Sequence, residues 1–250
     1  MLAPMATLRP GDDAFSSAIP RIYDEHFVPM IFEPYARDLL DRIVARAPAR
    51  VLELAAGTGV VTRHLAARLP AEVPIVATDL NQAMLDRAAE VGTARPVEWR
   101  RADAMDLPFE AGTFDLVVCQ FGAMFFPDRA RAYAEARRVL RPGGRFLFNV
   151  WDRLADNEIS QAVMDALAEI FSDDPPTFMS RIPHGYYDYG TIARDVAAGG
   201  FAAPAELVTV ASRARAPRRP SPPWRCARGH RWRTRSRCAI PAARDPRPRR

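Results

Sequence analysis

A chain of 250 residues with 48% hydrophobic and 26% charged side chains is long enough for one domain with a real core and too short for two large ones. No apolar run reaches the roughly eighteen residues of a membrane span, and residues 1–13 lack the basic-then-apolar order of a secretory leader, so a cytoplasmic protein without a membrane span is expected. The net charge of +5 divides unevenly: residues 1–212 hold 21 arginines against 29 acidic side chains, whereas residues 213–250 hold 14 arginines against Asp245 alone.

In chain order, residues 31–47 predict a helix with Ile31, Tyr35, Leu39, Ile43 and Val44 near one face, ended by Pro48, so residues 1–50 read as an N-terminal helical cap. Val51 to Leu54 is a short apolar run broken by Gly57 and Gly59, and a helix through Val61, Leu65 and Leu69 follows. Residues 74–78 predict a second strand ending at Asp79, residues 82–91 a helix, and residues 97–101 a third strand ending near Asp103. A fourth strand, 114–120, is continuously apolar and is expected to be buried on both faces. A helix over 129–140 leads through Arg141, Pro142, Gly143 and Gly144 into a fifth strand at 145–151. Helices over 157–171 and 191–198 and a sixth strand at 206–212 complete the pattern. Strands alternating with helices over 51–212 predict an α/β domain with a doubly wound, mostly parallel sheet and helices on both faces.

Glu53-Leu54-Ala55-Ala56-Gly57-Thr58-Gly59 lies where the first strand turns into a helix, and its small residues allow a polar ligand to approach the backbone amides. A tight turn without a ligand fits the same residues. Asp79, twenty residues past Gly59, suits the two hydroxyls of an adenosine ribose, or else a helix cap. A dinucleotide is disfavoured because Thr62 stands where its third glycine belongs, and because Glu53 would face a pyrophosphate. A cationic ligand with an amino group accords with Glu53, while Asp103 and the Ala104 amide can pair with an adenine edge.

Taken together, ELAAGTG at 53–59, ATDLNQAML at 77–85, RADAMDLPF at 101–109, FDLVVCQFGAMFFPD at 114–128 and LRPGG at 140–144 resemble the class I S-adenosylmethionine-dependent methyltransferases. The branch they are most similar to includes the ubiquinone and menaquinone biosynthesis methylases, the type 11 methyltransferases. The resemblance covers residues 23–201 and implies a Rossmann-like fold with S-adenosylmethionine as cofactor. It implies that Glu53, Ala55 and Gly57 flank the methionine part, Asp79 holds the ribose, and Leu80 packs on the adenine. Asp103 and Ala104 would read the adenine edge and Gln120 would lie beside the sulfonium. Ala55 departs from the glycine more often found there.

Methyl transfer from a sulfonium needs little covalent help, so no catalytic residue is assigned. A hydroxyl acceptor would call for a base, and His184 is the histidine nominated. Tyr23, Tyr186 and Tyr187 with Phe121, Met124, Phe125 and Phe126 are candidates for an apolar acceptor pocket, or for plain packing. The fourth strand lacks an Asn/Asp-Pro-Pro-aromatic turn, Cys119 is not preceded by proline, and the main domain is acidic. Nucleic acid is therefore disfavoured as acceptor, and a small apolar or aromatic molecule is favoured. Cys119, Cys226 and Cys238 are too few for a disulfide framework or a four-ligand zinc site; reduced thiols and no metal are expected.

Residues 213–250, rich in Arg and Pro, predict a disordered tail. With Trp224 and Trp232 among its arginines it also admits a different class of function, a non-catalytic cofactor-binding relic tethered to nucleic acid. The abrupt change of composition near 211–218 fits GC-rich codons read in another frame, or else an inert natural tail. On the first view the family's seventh strand, between strands five and six, is missing here. Oligomeric state is left open.

Overall fold

The computed structural model describes residues 19–215 and 231–240. The chain enters through α1 (Ile19–Ile22), a π-helix (Tyr23–Phe32) and α2 (Glu33–Val44), which buries Tyr35, Ala36, Leu39, Leu40 and Ile43 along one face. Predicted as one helix from residue 31, the region instead is helical from Ile19 and stops earlier, where Ala47 adopts φ 44° before Pro48. Next come β1 (Val51–Leu54), α3 (Val60–Arg68), β2 (Ile75–Asp79), α4 (Gln82–Val91), β3 (Glu98–Arg101) and β4 (Phe114–Gln120). The second half comprises α5 (Arg129–Val139), β5 (Leu140–Trp151), α6 (Glu158–Ile170), α7 (Phe178–Arg181), α8 (Tyr189–Ala198), β6 (Glu206–Arg215) and β7 (Arg231–Ile240). Helix starts follow local capping chemistry: Asn81, Asp128 and Asp188 each accept a backbone N–H from the first turn of α4, α5 and α8.

The sheet order is β3-β2-β1-β4-β5-β7-β6. The first five strands in that order are parallel, and β7 runs antiparallel to both its neighbours. β1 has β2 on one side and β4 on the other, so the strand order reverses there and opens a crevice at the carboxyl ends of these two strands. All four residues of β1 are buried, as are Phe114 and Leu116 to Cys119 of β4, in keeping with strands covered on both faces. β5 begins five residues earlier than the apolar run suggests, because Leu140 already pairs with Phe114 while residues 141–144 loop out of register.

The expected absence of a seventh strand is corrected by β7. Its inward positions Thr234, Ser236 and Cys238 are buried, whereas Arg233, Arg235 and Arg237 alternate on the other face. Arg237 meets Asp152 at 3.2 Å and Arg235 lies 3.8 Å from Asp156, so charge pairing supports a strand that apolarity does not announce. With β7 in place, neither β5 nor β6 presents its inner edge to solvent. Residues 216–230 and 241–250, including Trp224 and Cys226, lie outside the described residues. Cys119 and Cys238 are free, buried thiols, both pushed up by burial. Among the described residues no helix is long and apolar enough to cross a membrane, and no cluster of His, Cys, Asp and Glu is arranged to hold a metal.

Candidate functional site

The crevice is shaped by backbone conformations that few sequences tolerate. Ala55 leaves β1 at φ 51°, Gly57 follows at 57° and Gly59 opens α3 at 83°. Gly57 faces open space where a side chain would stand, while a Cβ on Gly59 would meet the Trp99 ring at 2.8 Å. The turn is closed by Ala56 N donating to Thr78 O at 2.9 Å, which joins the ends of β1 and β2.

Glu53, the third residue of β1, is 2% exposed and accepts a hydrogen bond from the Thr62 hydroxyl at 2.6 Å. Burial pushes its carboxyl up to about 8, with Thr62 and the Arg63 charge pulling the other way and Asp79 adding to the rise. A buried acid of this kind has much to gain from a cationic partner. At the end of β2, Asp79 accepts Gly57 N on Oδ2 and Asn81 N on Oδ1, each at 2.8 Å. Burial raises its carboxyl above the ordinary range, and those amides, with that of Leu80, draw it back. Each of its oxygens retains a lone pair for a further donor.

Glu53, Ala55, Gly57 and Gln120 line one cavity of about 30 Å³. Tyr23 and Phe32 also line it, stacked with ring centres 4.8 Å apart. Gln120, at the end of β4, has a buried Oε1 with no hydrogen-bond partner among the described residues, as has the Thr58 hydroxyl in the same wall. Both oxygens, beside a buried acid, are free to accept from a donor entering the cavity. Leu80, Asp103 and Ala104 lie outside the cavity wall: Leu80 is 60% exposed just beyond Asp79, and Asp103 caps its own turn by accepting Met105 N at 2.8 Å. Ala102 N donates to Asp79 O at 3.1 Å, so the ends of β2 and β3 stay side by side.

Tyr23 reads from sequence as an acceptor-side residue, yet it stands in the wall shared with Glu53 and Gly57, and burial lifts its phenol well above the usual range. Thr62, which in the sequence only argues against a dinucleotide, is the hydrogen-bond partner of Glu53. Neither role has a signal in sequence, because both depend on segments brought together by the fold. Phe121 stacks on Trp151 at 3.9 Å and Met124 is buried, so both are packing residues. Tyr186 is sealed against Tyr133, with the Arg129 guanidinium 4.1 Å above its ring. The nomination of His184 as a base is not supported by its surroundings: it is 2% exposed, Nδ1 lies 2.7 Å from Asp152 O and Nε2 2.9 Å from Ser160 Oγ. Burial lowers its pKa, and with both nitrogens held it ties α6 to the end of β5.

Residues 52–148 match the family described as methyltransferase domain. Among curated proteins, the chain is 29% identical over 155 residues to a ubiquinone/menaquinone biosynthesis C-methyltransferase of Idiomarina loihiensis, covering 58% of this chain and 62% of that one. It is 33% identical over 160 residues to a demethylmenaquinone methyltransferase of Lactiplantibacillus plantarum, covering 62% and 65% respectively. The matches thus span somewhat less than two thirds of these relatives' length. Among solved structures, a phosphoethanolamine N-methyltransferase of Haemonchus contortus, in complex with S-adenosylhomocysteine, superposes with a TM-score of 0.57 at 18% identity over 79% of this chain and 44% of that one. These likenesses agree with the resemblance carried by the five motifs and with the Rossmann-like sheet.

Proposed function

We propose that the chain transfers the methyl group of S-adenosylmethionine to a small apolar or aromatic acceptor, a reading supported by the match of residues 52–148 to the methyltransferase-domain family. The observation that carries this is the convergence of Glu53, Ala55, Gly57 and Gln120 on one cavity, with Asp79 tied to the Gly57 amide. The donor set suits the cofactor: Glu53 would face the ammonium, the Thr58 and Gln120 oxygens offer acceptors in the same wall, and the free lone pairs of Asp79 would take the ribose diol. The exposed Leu80 offers an apolar face to adenine, and Asp103 with the Ala104 amide would read its edge. When bound, the sulfonium supplies an activated methyl group, and the acceptor gives up a proton. Around it, the work of this chain is orientation and exclusion of water, for which the stacked Tyr23 and Phe32 form the wall.

Calorimetric titration with S-adenosylmethionine and S-adenosylhomocysteine tests this. Micromolar binding is expected, weakened at least about a hundredfold in Asp79→Ala, which deprives two amides and the ribose of a charged acceptor. A folded protein that binds neither compound overturns the proposal. With the cofactor site established, release of S-adenosylhomocysteine in a screen of phenols, quinols and apolar amines identifies the acceptor class.

For residues 213–250 we propose a shifted reading frame near 211–218. The composition break supports it, whereas β7, paired between β5 and β6 where the seventh strand belongs, counts against it. Sequencing the gene across codons 205–225 is the test; an unbroken frame, with a peptide recovered from residues 231–240, removes the proposal.

A further inference from the structure

The helical run over the cavity is fastened to the sheet domain at its leading end chiefly by one buried carboxylate. Asp24 Oδ1 meets Arg63 Nη2 at 3.0 Å and Asp24 Oδ2 meets Arg87 Nη2 at 3.2 Å, with only 9% of the Asp24 side chain exposed. Arg63 belongs to α3, and its other terminal nitrogen donates to the Thr58 carbonyl at 2.7 Å, inside the glycine turn. Arg87 belongs to α4, the helix that follows Asp79, and also holds Glu90 at 2.9 Å. One buried carboxylate therefore joins the cavity wall, the glycine turn and the helix behind Asp79. Glu25, the neighbouring acid, pairs with Arg21 at 2.7 Å and reaches Arg87 Nη2 only at 3.9 Å, with 40% of its side chain exposed.

Directly after Tyr23 and Asp24 the chain stays wound as a π-helix to Phe32, with Pro29 inside it. Such winding is rare beyond a single turn, and Pro29 supplies no N–H to it, so the segment is held less by its own hydrogen bonds than by its attachments. At its far end Phe32 packs against Phe121 and Trp151. At its near end there is the Asp24 triad. The cavity between, about 30 Å³, has room for about two water molecules, whereas small-molecule sites run to about 300–1,000 Å³. The amino-acid end of a nucleoside ligand fits here only if this segment moves.

We propose that Asp24 is the latch of a cofactor gate: with Arg63 and Arg87 it holds the Tyr23–Phe32 segment shut over the methionine end of the site, and breaking this triad opens it. Resting on the cofactor assignment above, this makes Asp24 a positioning residue that acts through Tyr23 and the glycine turn. The direction of the effect follows from charge: without the Asp24 carboxylate, Arg63 loses its anion on this segment and Arg87 keeps there only the longer contact to the exposed Glu25, so the segment is held less tightly.

Stopped-flow binding of S-adenosylhomocysteine to the full chain, beside hydrogen exchange of the unliganded protein, tests the latch. Asp24→Asn is expected to raise koff about tenfold and also to raise kon several-fold, with Asp24→Glu restoring part of both. Arg87→Gln, which leaves Arg63 in place, gives a smaller change in the same direction and covers the case in which Asp24→Asn fails to fold. Without ligand, amides of residues 23–32 exchange about tenfold faster in Asp24→Asn. Merely structural damage raises koff while kon stays or falls, and that outcome overturns the gate, as does wild-type behaviour of the variants. Should the folded wild type bind no S-adenosylhomocysteine, the cofactor assignment fails and the gate with it, and the exchange data then tell only whether the triad holds the segment.

Discussion

Along β1 every side chain is buried and aliphatic except Glu53, whereas along β7 the buried positions include Thr234, Ser236 and Cys238, alternating with arginines on the opposite face. Within β1 the one buried polar residue is matched: Thr62 Oγ1 donates to the Glu53 carboxylate at 2.6 Å, and Thr78 Oγ1 donates to the Glu53 carbonyl at 2.8 Å. Around β7 matching is uneven. Tyr35 OH donates to Thr234 at 2.8 Å, but the Ser236 hydroxyl is buried without a partner among the described residues, and Arg213 stands opposite Arg233. A complete backbone ladder can thus be carried either by apolar burial or by a few directed contacts, and the two kinds of strand fail in different ways.

The largest expected effect is on the β1 side. The Glu53 carboxyl titrates near 4.3 in an unfolded chain, by the usual value of about 4.3, and is pushed up to about 8 in the fold. Because folding raises the pKa, the associated stability is fully present below about pH 4 and is lost as pH climbs through about 8. Denaturation of the unliganded protein should therefore show wild type losing a few kcal/mol relative to Glu53→Gln between pH 5 and 8. A pH-independent difference would mean that the acid is not costly, and the contrast between the two strands would narrow.

On the β7 side, Asp152 is 3% exposed and its partner Arg237 about a quarter exposed, so Asp152→Asn should cost about 2–3 kcal/mol in urea unfolding, somewhat below the usual loss for a fully buried pair. A cost under about 0.5 kcal/mol, the range of an ordinary surface change, would show that charge does not hold this edge. Tyr35→Phe should cost about 1 kcal/mol by stranding Thr234, and adding Thr234→Val should recover most of it. The smallest effect is a gain. Ala55→Gly relieves a left-handed alanine worth about 1–2 kcal/mol of strain but adds unfolded-state entropy, leaving a net stabilisation of about 0.5 kcal/mol, readable as a slightly higher Tm.

The same contrast governs what the sequence reveals. β1, β2 and β4 are legible because a strand covered on both faces must be apolar, and the turn after β1 because Gly57 and Gly59 mark left-handed backbone. Asp79 and Glu53 are legible from their spacing to that turn. β7 is hidden because its inward residues are small and polar, so a period of two is masked by arginine and neighbouring proline. Also hidden are Tyr23, Thr62 and the Asp24 triad, each of which depends on contacts between segments far apart in sequence: Asp24 and Arg87 are 63 positions apart. The helix over 31–47 was legible as amphipathic, but not its π-wound approach, since hydrogen-bond register within a helix leaves little trace in apolar spacing.

An interior strand that comes after all its neighbours in the chain also sets a timetable. β5 ends at residue 151 and β7 ends at residue 240, so during synthesis the β5 edge waits for roughly 90 further residues, about 5–20 s at ordinary elongation rates. β6 cannot settle meanwhile, because its only neighbour in the sheet is β7. The nascent chain therefore carries two unpaired strands at once beside an already formed parallel half, and yield in the cell should depend on how well that interval is protected from other chains.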